Sequence, residues 1–300
     1  MTLTQVIANE KIYSRLASDG TLTTAIKGQG TMAHLKVCTS GLTATGLTTI
    51  SVILAKNLHL FYASASNAIL DATQQEHGCA ERSPDSYAQY FWSTRKAQSL
   101  YWELFDKRAA NLSTDQAIDK ALLTELDVPR NSLIESLTSS LLVPPGNPAF
   151  HIHFRAPLSE RVRRVSLQLP MMPLGKLTKM VRSKDWRTRT IVLRAWNVDI
   201  LEPISRPSYD LVITDSGFSK IFGSIRNRDR EVAAKAEVCS AFIEMYSNVV
   251  SKTTDVVAFH KAANRCRQAL ICFGPVVQVF PQSFLHPEQA MRLIWSCRHG

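Results

Sequence analysis

The sequence contains none of the strings that mark a common catalytic class. There is no Gly-x-Ser-x-Gly nucleophile elbow, no Gly-x4-Gly-Lys-Ser/Thr phosphate loop, no Gly-x-Gly-x-x-Gly fingerprint and no His-Glu-x-x-His zinc helix. Gly28-x-Gly30 alone is too short to signal a phosphate site. The pairs His77-x-Cys79, His151-x-His153, Cys266-x5-Cys272 and Cys297-x-His299 lack the spacing that draws three or four ligands around zinc, so neither a metal nor a cofactor is expected. Long apolar runs are missing too. The longest, Ile50 to Ala55, contains Ser51 and ends at Lys56, far short of the roughly 20 residues that span a bilayer. Six cysteines without regular spacing do not form a disulfide framework and suit a reducing compartment. The stretch Met1 to Glu10 has neither a basic start nor a continuous apolar segment, so no secretory leader is expected. A cytoplasmic location is the expectation, or a virion or host cytoplasm if the chain is viral, with the nucleus as an alternative.

What is present is unevenly placed positive charge. The chain carries a net +10 at pH 7, yet residues 1–144 hold twelve basic and thirteen acidic groups, residues 145–230 sixteen and seven, and residues 231–300 seven and five. Between His151 and Arg194 stand Arg155, Arg161, Arg163, Arg164, Lys176, Lys179, Arg182, Lys184, Arg187, Arg189 and Arg194, opposed only by Glu160 and Asp185. Such clustering points to a polyanionic partner, and the excess of arginine suits bidentate phosphate contact. Trp186 and Trp196 lie within the segment, where an indole could stack on a base.

Read in order, residues 4–18 predict a helix and Met32 to Cys38 a short strand, while Thr48 to Ala63 suits either. Gln74 to Asp85 reads as a surface loop. Residues 85–110 carry Tyr87, Tyr90, Phe91, Tyr101, Trp102 and Phe105 at helical spacing. Ser113-x-x-Gln116 and Ser132-x-x-Glu135 both fit the capping box that starts a helix. The Pro144-Pro145-Gly146-Asn147-Pro148 stretch marks a boundary. Beyond it the period becomes two: Phe150, Ile152 and Phe154 alternate with His151, His153 and Arg155. The same alternation recurs at Val165, Leu167 and Leu169, and at Ile191, Leu193 and Ala195. Tyr209 to Thr214 is a fourth candidate strand. Helical periodicity returns over residues 229–250, 254–272 and 287–297, with a short strand at 276–280.

These patterns predict an α+β protein: a mainly helical region over 1–144, a small basic antiparallel sheet within 145–224, and a helical region over 225–300. Asp215-Ser216-Gly217 resembles the Asp-Ser/Thr-Gly motif of aspartic proteases, though the same string is an ordinary turn after a strand. With no enzyme motif and a basic sheet, the expected function is a non-enzymatic, self-assembling RNA-binding structural protein of the nucleocapsid, capsid or matrix kind. The alternative is a movement-type or peripheral membrane protein binding nucleic acid or anionic lipid. The third is an enzyme such as an aspartic protease. The expected partners are RNA or another polyanion, an anionic membrane surface, and further copies of the chain.

Overall fold

The computed structural model describes residues 34–69, 95–143, 149–201, 209–215, 228–250, 256–273 and 277–279. The helices expected at 4–18 and 287–297, the loop at 74–85 and the first ten residues of the aromatic helix lie outside them. The elements in chain order are β1 (Lys36–Gly41), α1 (Leu47–Asn57), β2 (Phe61–Ser64), α2 (Arg95–Ala110), α3 (Ser113–Thr124), β3 (Ser132–Glu135), α4 (Ser139–Leu142), β4 (Ala149–Arg155), α5 (Leu158–Gln168), α6 (Leu174–Trp196), β5 (Leu211–Thr214), α7 (Arg228–Val250), α8 (Val256–Phe273) and β6 (Val277–Val279).

One sheet joins all six strands in the order β2-β3-β1-β4-β5-β6. β1 to β5 run parallel, and β6 is antiparallel at the edge. The expected small antiparallel sheet with a basic outer face is therefore wrong: this is an α/β fold. Strands on both sides of residues 144–148 pair with β1, β3 through Val37 opposite Leu133 and β4 through Val37 opposite Phe150. Helices cover both faces, as parallel sheets require. Val37, Leu133, Phe150, Ile152, Phe154, Leu211 and Ile213 pack against Ile50 and Leu54 of α1 and Phe242, Ile243 and Tyr246 of α7. On the opposite face Cys38, Ile134 and Ala149 pack against Ile118 and Leu122 of α3.

Two of the three expected basic strands are helices. In α6 the buried positions Leu177, Val181, Asp185, Ile191 and Val192 recur at helical spacing over 23 residues, which outweighs a three-position alternation at its end. In α5 Arg161, Val162 and Val165 are buried, again one helical stripe. Pro157 and Pro173 immediately precede the two helices, where a missing N–H costs nothing. The helix expected from Ser132-x-x-Glu135 is strand β3: Leu133 and Ile134 are both fully buried, one on each sheet face. A slot between β1 and β2 decides this, not a local cap. Among the described residues no helix is long and apolar enough to cross a membrane, and Cys38, Cys239 and Cys266 are buried.

Strand β4 does alternate as read, but its polar side is interior. His151 is buried, and the ring of His153 lies 4.5 Å from that of Tyr209 with Nδ1 2.9 Å from Ser40 Oγ. Burial pulls both imidazoles down to about 4 from an ordinary value near 6.5. The unfolded chain therefore binds more protons than the folded one between those limits, and stability falls as pH drops from 6.5 toward 4. Urea unfolding at stepped pH should show this slope, and His153→Gln should reduce it by about 1.4 kcal/mol per pH unit; an unchanged slope would contradict a neutral His153.

Candidate phosphate-binding site

At the carboxyl end of β1 the chain turns through Gly41-Leu42-Thr43-Ala44-Thr45-Gly46 and enters α1. A Cβ on Gly41 would meet Thr45 Oγ1 at 2.7 Å and the Phe154 carbonyl at 3.0 Å, so only glycine fits beside β4. Ala44 and Gly46 take left-handed φ of 62° and 86°, which wraps the loop back over the start of the helix. Thr45 closes the wrap, with its N–H 3.2 Å and its hydroxyl 2.9 Å from the Leu42 carbonyl. Gly46 at the cap offers no side chain to the first N–H groups of α1, and the first turn holds no acidic residue. Those N–H groups and the helix dipole form an anion-binding end.

Thr48, in that first turn, donates its hydroxyl to Glu135 Oε1 at 2.7 Å. Glu135 closes β3, directly beside β1 through the Thr39–Glu135 pairing, and Tyr62 donates to its other oxygen at 2.5 Å. Burial raises the Glu135 pKa, partly offset by the Tyr62 and Thr48 hydrogen bonds. A hydroxyl and a carboxylate at the mouth of a phosphate loop are hard oxygen donors of the kind that hold Mg2+ on a nucleotide. No group of three or more His, Cys, Asp or Glu side chains among the described residues is arranged for a metal.

A cleft of about 230 Å³ extends from the loop between Glu135, Ser136 and Thr138 on one side and Arg164, Lys184 and Asp185 on the other, and reaches Arg108, Asp115 and Asp119. Arg108 donates both Nε and Nη2 to Asp115. Asp119 accepts from Thr138 at 2.7 Å and from Trp196 Nε1 at 2.9 Å, and burial pushes its pKa up. A larger groove of about 690 Å³ between α7 and α8 includes no residue of the loop.

The eleven basic residues do not form one outer face. Arg161 donates to the Thr43 carbonyl at 3.1 Å and to Asp185 at 2.5 Å, and Asp185 in turn accepts from the Thr43 N–H. Arg164 donates to the Thr45 carbonyl at 2.6 Å and pairs with Asp215 and Glu231. Arg163 pairs with Glu160, Arg187 with Asp106, Arg189 with Asp199, and Arg194 donates to the Ala109 carbonyl. Lys184 lines the cleft. Arg155 stands exposed at the end of β4, and Lys176, Lys179 and Arg182 are exposed along α6. Asp215, the candidate protease aspartate, is ion-paired with Arg164 and Lys235.

Sequence reasoning missed the loop because it required the complete lysine-containing string. Relaxing one position reveals Gly41-x4-Gly46-Leu47-Thr48 at the end of the buried strand β1; leucine stands where that pattern has lysine.

The cytidylate kinase-like family matches residues 36–217, from β1 through β5 and just past it. A search of curated proteins returned no match. Solved structures share only a distant likeness. A crystal structure of an uncharacterized protein from Eubacterium ventriosum is 12% identical, with 65% of this chain and 99% of that one covered and a TM-score of 0.37. Another, described as a "putative kinase" from Chloroflexus aurantiacus, is 18% identical over 61% and 87%, with a TM-score of 0.27. The family match overturns the expected non-enzymatic RNA-binding structural protein of the nucleocapsid, capsid or matrix kind and points instead to a kinase-like enzyme.

Asp185 ties α6 to both α5 and the loop. Asp185→Ala should leave Arg161 buried without its counter-charge and cost about 3–5 kcal/mol, read as a lower urea midpoint; a loss under about 1 kcal/mol, the worth of a surface pair, would show that the clamp is not needed.

Proposed function

The chain belongs to the cytidylate kinase-like family, and from that premise we propose that it is a nucleotide kinase-like enzyme. It seats a nucleoside triphosphate on the Gly41–Thr48 loop and transfers the terminal phosphoryl group to a nucleoside monophosphate, of which cytidylate is the kind that the family's description suggests. The observation that carries the reading is the loop itself: a glycine-bounded turn after the central parallel strand, an uncapped helix start, and Thr48 bonded to Glu135 of the neighbouring strand.

Transfer of this kind asks the protein for position and charge more than for covalent chemistry. An oxygen of the acceptor phosphate forms the new P–O bond while the bond to the β–γ bridging oxygen breaks, leaving two nucleoside diphosphates. The acceptor is already anionic, so no general base is required. The loop N–H groups hold the donor phosphates, and the Arg161–Asp185 pair keeps the loop in shape against α5 and α6. Thr48 and Glu135 would hold magnesium, which when bound neutralises charge on the donor phosphates. The cleft leading toward Arg108, Asp115 and Asp119 is the space for the acceptor.

The test is purified protein with ATP, Mg2+ and each nucleoside monophosphate, with diphosphate products resolved by ion-exchange chromatography. Thr48→Val and Glu135→Gln should each lower turnover about tenfold or more, the effect of losing one charge-assisted contact. Failure of the wild-type protein to bind any nucleoside triphosphate would overturn the proposal.

A further inference from the structure

Leu47 follows the second glycine of the loop, where the general pattern has a lysine that reaches the β- and γ-phosphates. The loop therefore brings no side-chain cation of its own to a phosphate. If the chain handles a triphosphate, as proposed above, the positive charge has to arrive from another element.

Arg164 of α5 is already placed at the loop. Its Nη1 lies 2.6 Å from the Thr45 carbonyl and 3.4 Å from that of Ala44, and a Cβ on Gly46 would sit 3.4 Å from the same atom. The guanidinium thus lies against the glycine immediately before Leu47. Its other edge is anchored: Nη2 reaches Glu231 at 2.8 Å and also Asp215, and Nε is 3.5 Å from Glu160. Lys235 braces this anchor from behind, 2.5 Å from Glu231 and paired with Asp215. Glu231 and Lys235 belong to α7, beyond residues 36–217, so the brace comes from a part of the chain that the family match does not include. The other arginines near the loop are committed differently, Arg108 through two nitrogens to Asp115 and Arg161 to Asp185 and the Thr43 carbonyl.

We infer that Arg164 supplies the phosphate-gripping cation that the loop lacks, exchanging the Ala44 and Thr45 carbonyls for a phosphate oxygen at Nη1 while Glu231 and Asp215 keep Nη2 in place. A guanidinium suits the task because its donors diverge from a rigid plane, so one edge can hold an anchor while the other binds a ligand. Gly46 is part of the same device: its left-handed φ of 86° disfavours any side chain, which leaves its backbone lying against Nη1.

The test is calorimetric titration with ATP and, separately, with adenosine, both in Mg2+ buffer. Wild type is expected to prefer ATP strongly. Arg164→Ala should lose about tenfold or more in ATP affinity, the scale of a charge-assisted contact, with adenosine affinity unchanged, and adding Leu47→Lys should restore most of the loss. If Arg164→Ala does not fold, Arg164→Lys replaces it; this variant keeps a charge for Asp215 and Glu231 but cannot bridge them to the loop, and it should also lose ATP selectively. An unchanged ATP affinity in a folded Arg164 variant overturns the inference. So does an equal loss for ATP and adenosine without rescue by Leu47→Lys, which marks a structural role. Loss in Lys184→Ala but not in the Arg164 variants places the cation on α6 instead. A wild type that does not discriminate ATP from adenosine removes the nucleotide reading itself, and the inference with it.

Discussion

The close approach of β1 to β4 at Gly41 is the constraint on which the rest of the site depends. With Thr45 Oγ1 and the Phe154 backbone both inside contact distance of any added Cβ, the strand ends with its backbone pressed against its neighbour, and the chain must turn sharply over the sheet edge. That turn points the start of α1 back at the strand ends. The strand order then brings β3 to the other side of β1 and delivers Glu135 to within 2.7 Å of Thr48. In open α/β sheets the crevice outside the carboxyl ends of the strands, beside a change in strand order, is where ligands bind. β1 is that point here, with β3 on one side and β4 on the other.

Much of the charge in the basic run is structural. Arg161, Arg163, Arg164, Arg187 and Arg189 each meet a carboxylate, and several of those carboxylates lie far away in sequence or on other elements. The basic run His151–Arg194 looked nearly unopposed because only Glu160 and Asp185 lie within it, whereas its counter-charges Asp106, Asp199, Asp215 and Glu231 fall outside. Net charge over a window measures a local excess, whereas a binding surface needs charge that folding leaves at the exterior. Lys176, Lys179 and Arg182 meet that condition along α6; the two arginines nearest the loop do not. They bond loop carbonyls and buried acids, which holds a glycine-rich turn in a fixed shape.

About half of the element types could be read from periodicity. Strands at 211–214 and 277–279 and helices over 95–110, 113–124, 228–250 and 256–273 follow their patterns, as the buried stripe Asp115, Ile118, Asp119 and Leu122 illustrates for 113–124. β4 was also legible as a strand, though not as an interior one: His151 mimics a wet face while buried, and His153 is half-buried against Tyr209. The errors fell on segments whose tertiary neighbours decide, from the four residues of β3 to the 23 of α6. Ser132–Glu135 has the letters of a helix cap and the place of a strand, and Val165 to Leu169 alternates only by coincidence within a helix.

By itself the sequence determined the buried stripes, the breaks at proline and glycine, and the loop's own letters, since these follow from side-chain size, backbone freedom and hydrogen-bonding capacity residue by residue. Parallel pairing, the order β2-β3-β1-β4-β5-β6, and the meeting of Thr48 with Glu135 and of Arg164 with Asp215 and Glu231 were decided only by the tertiary structure. Those partners are between 51 and 87 residues apart in the chain, and no local period encodes a contact that exists only once a sheet has closed the distance.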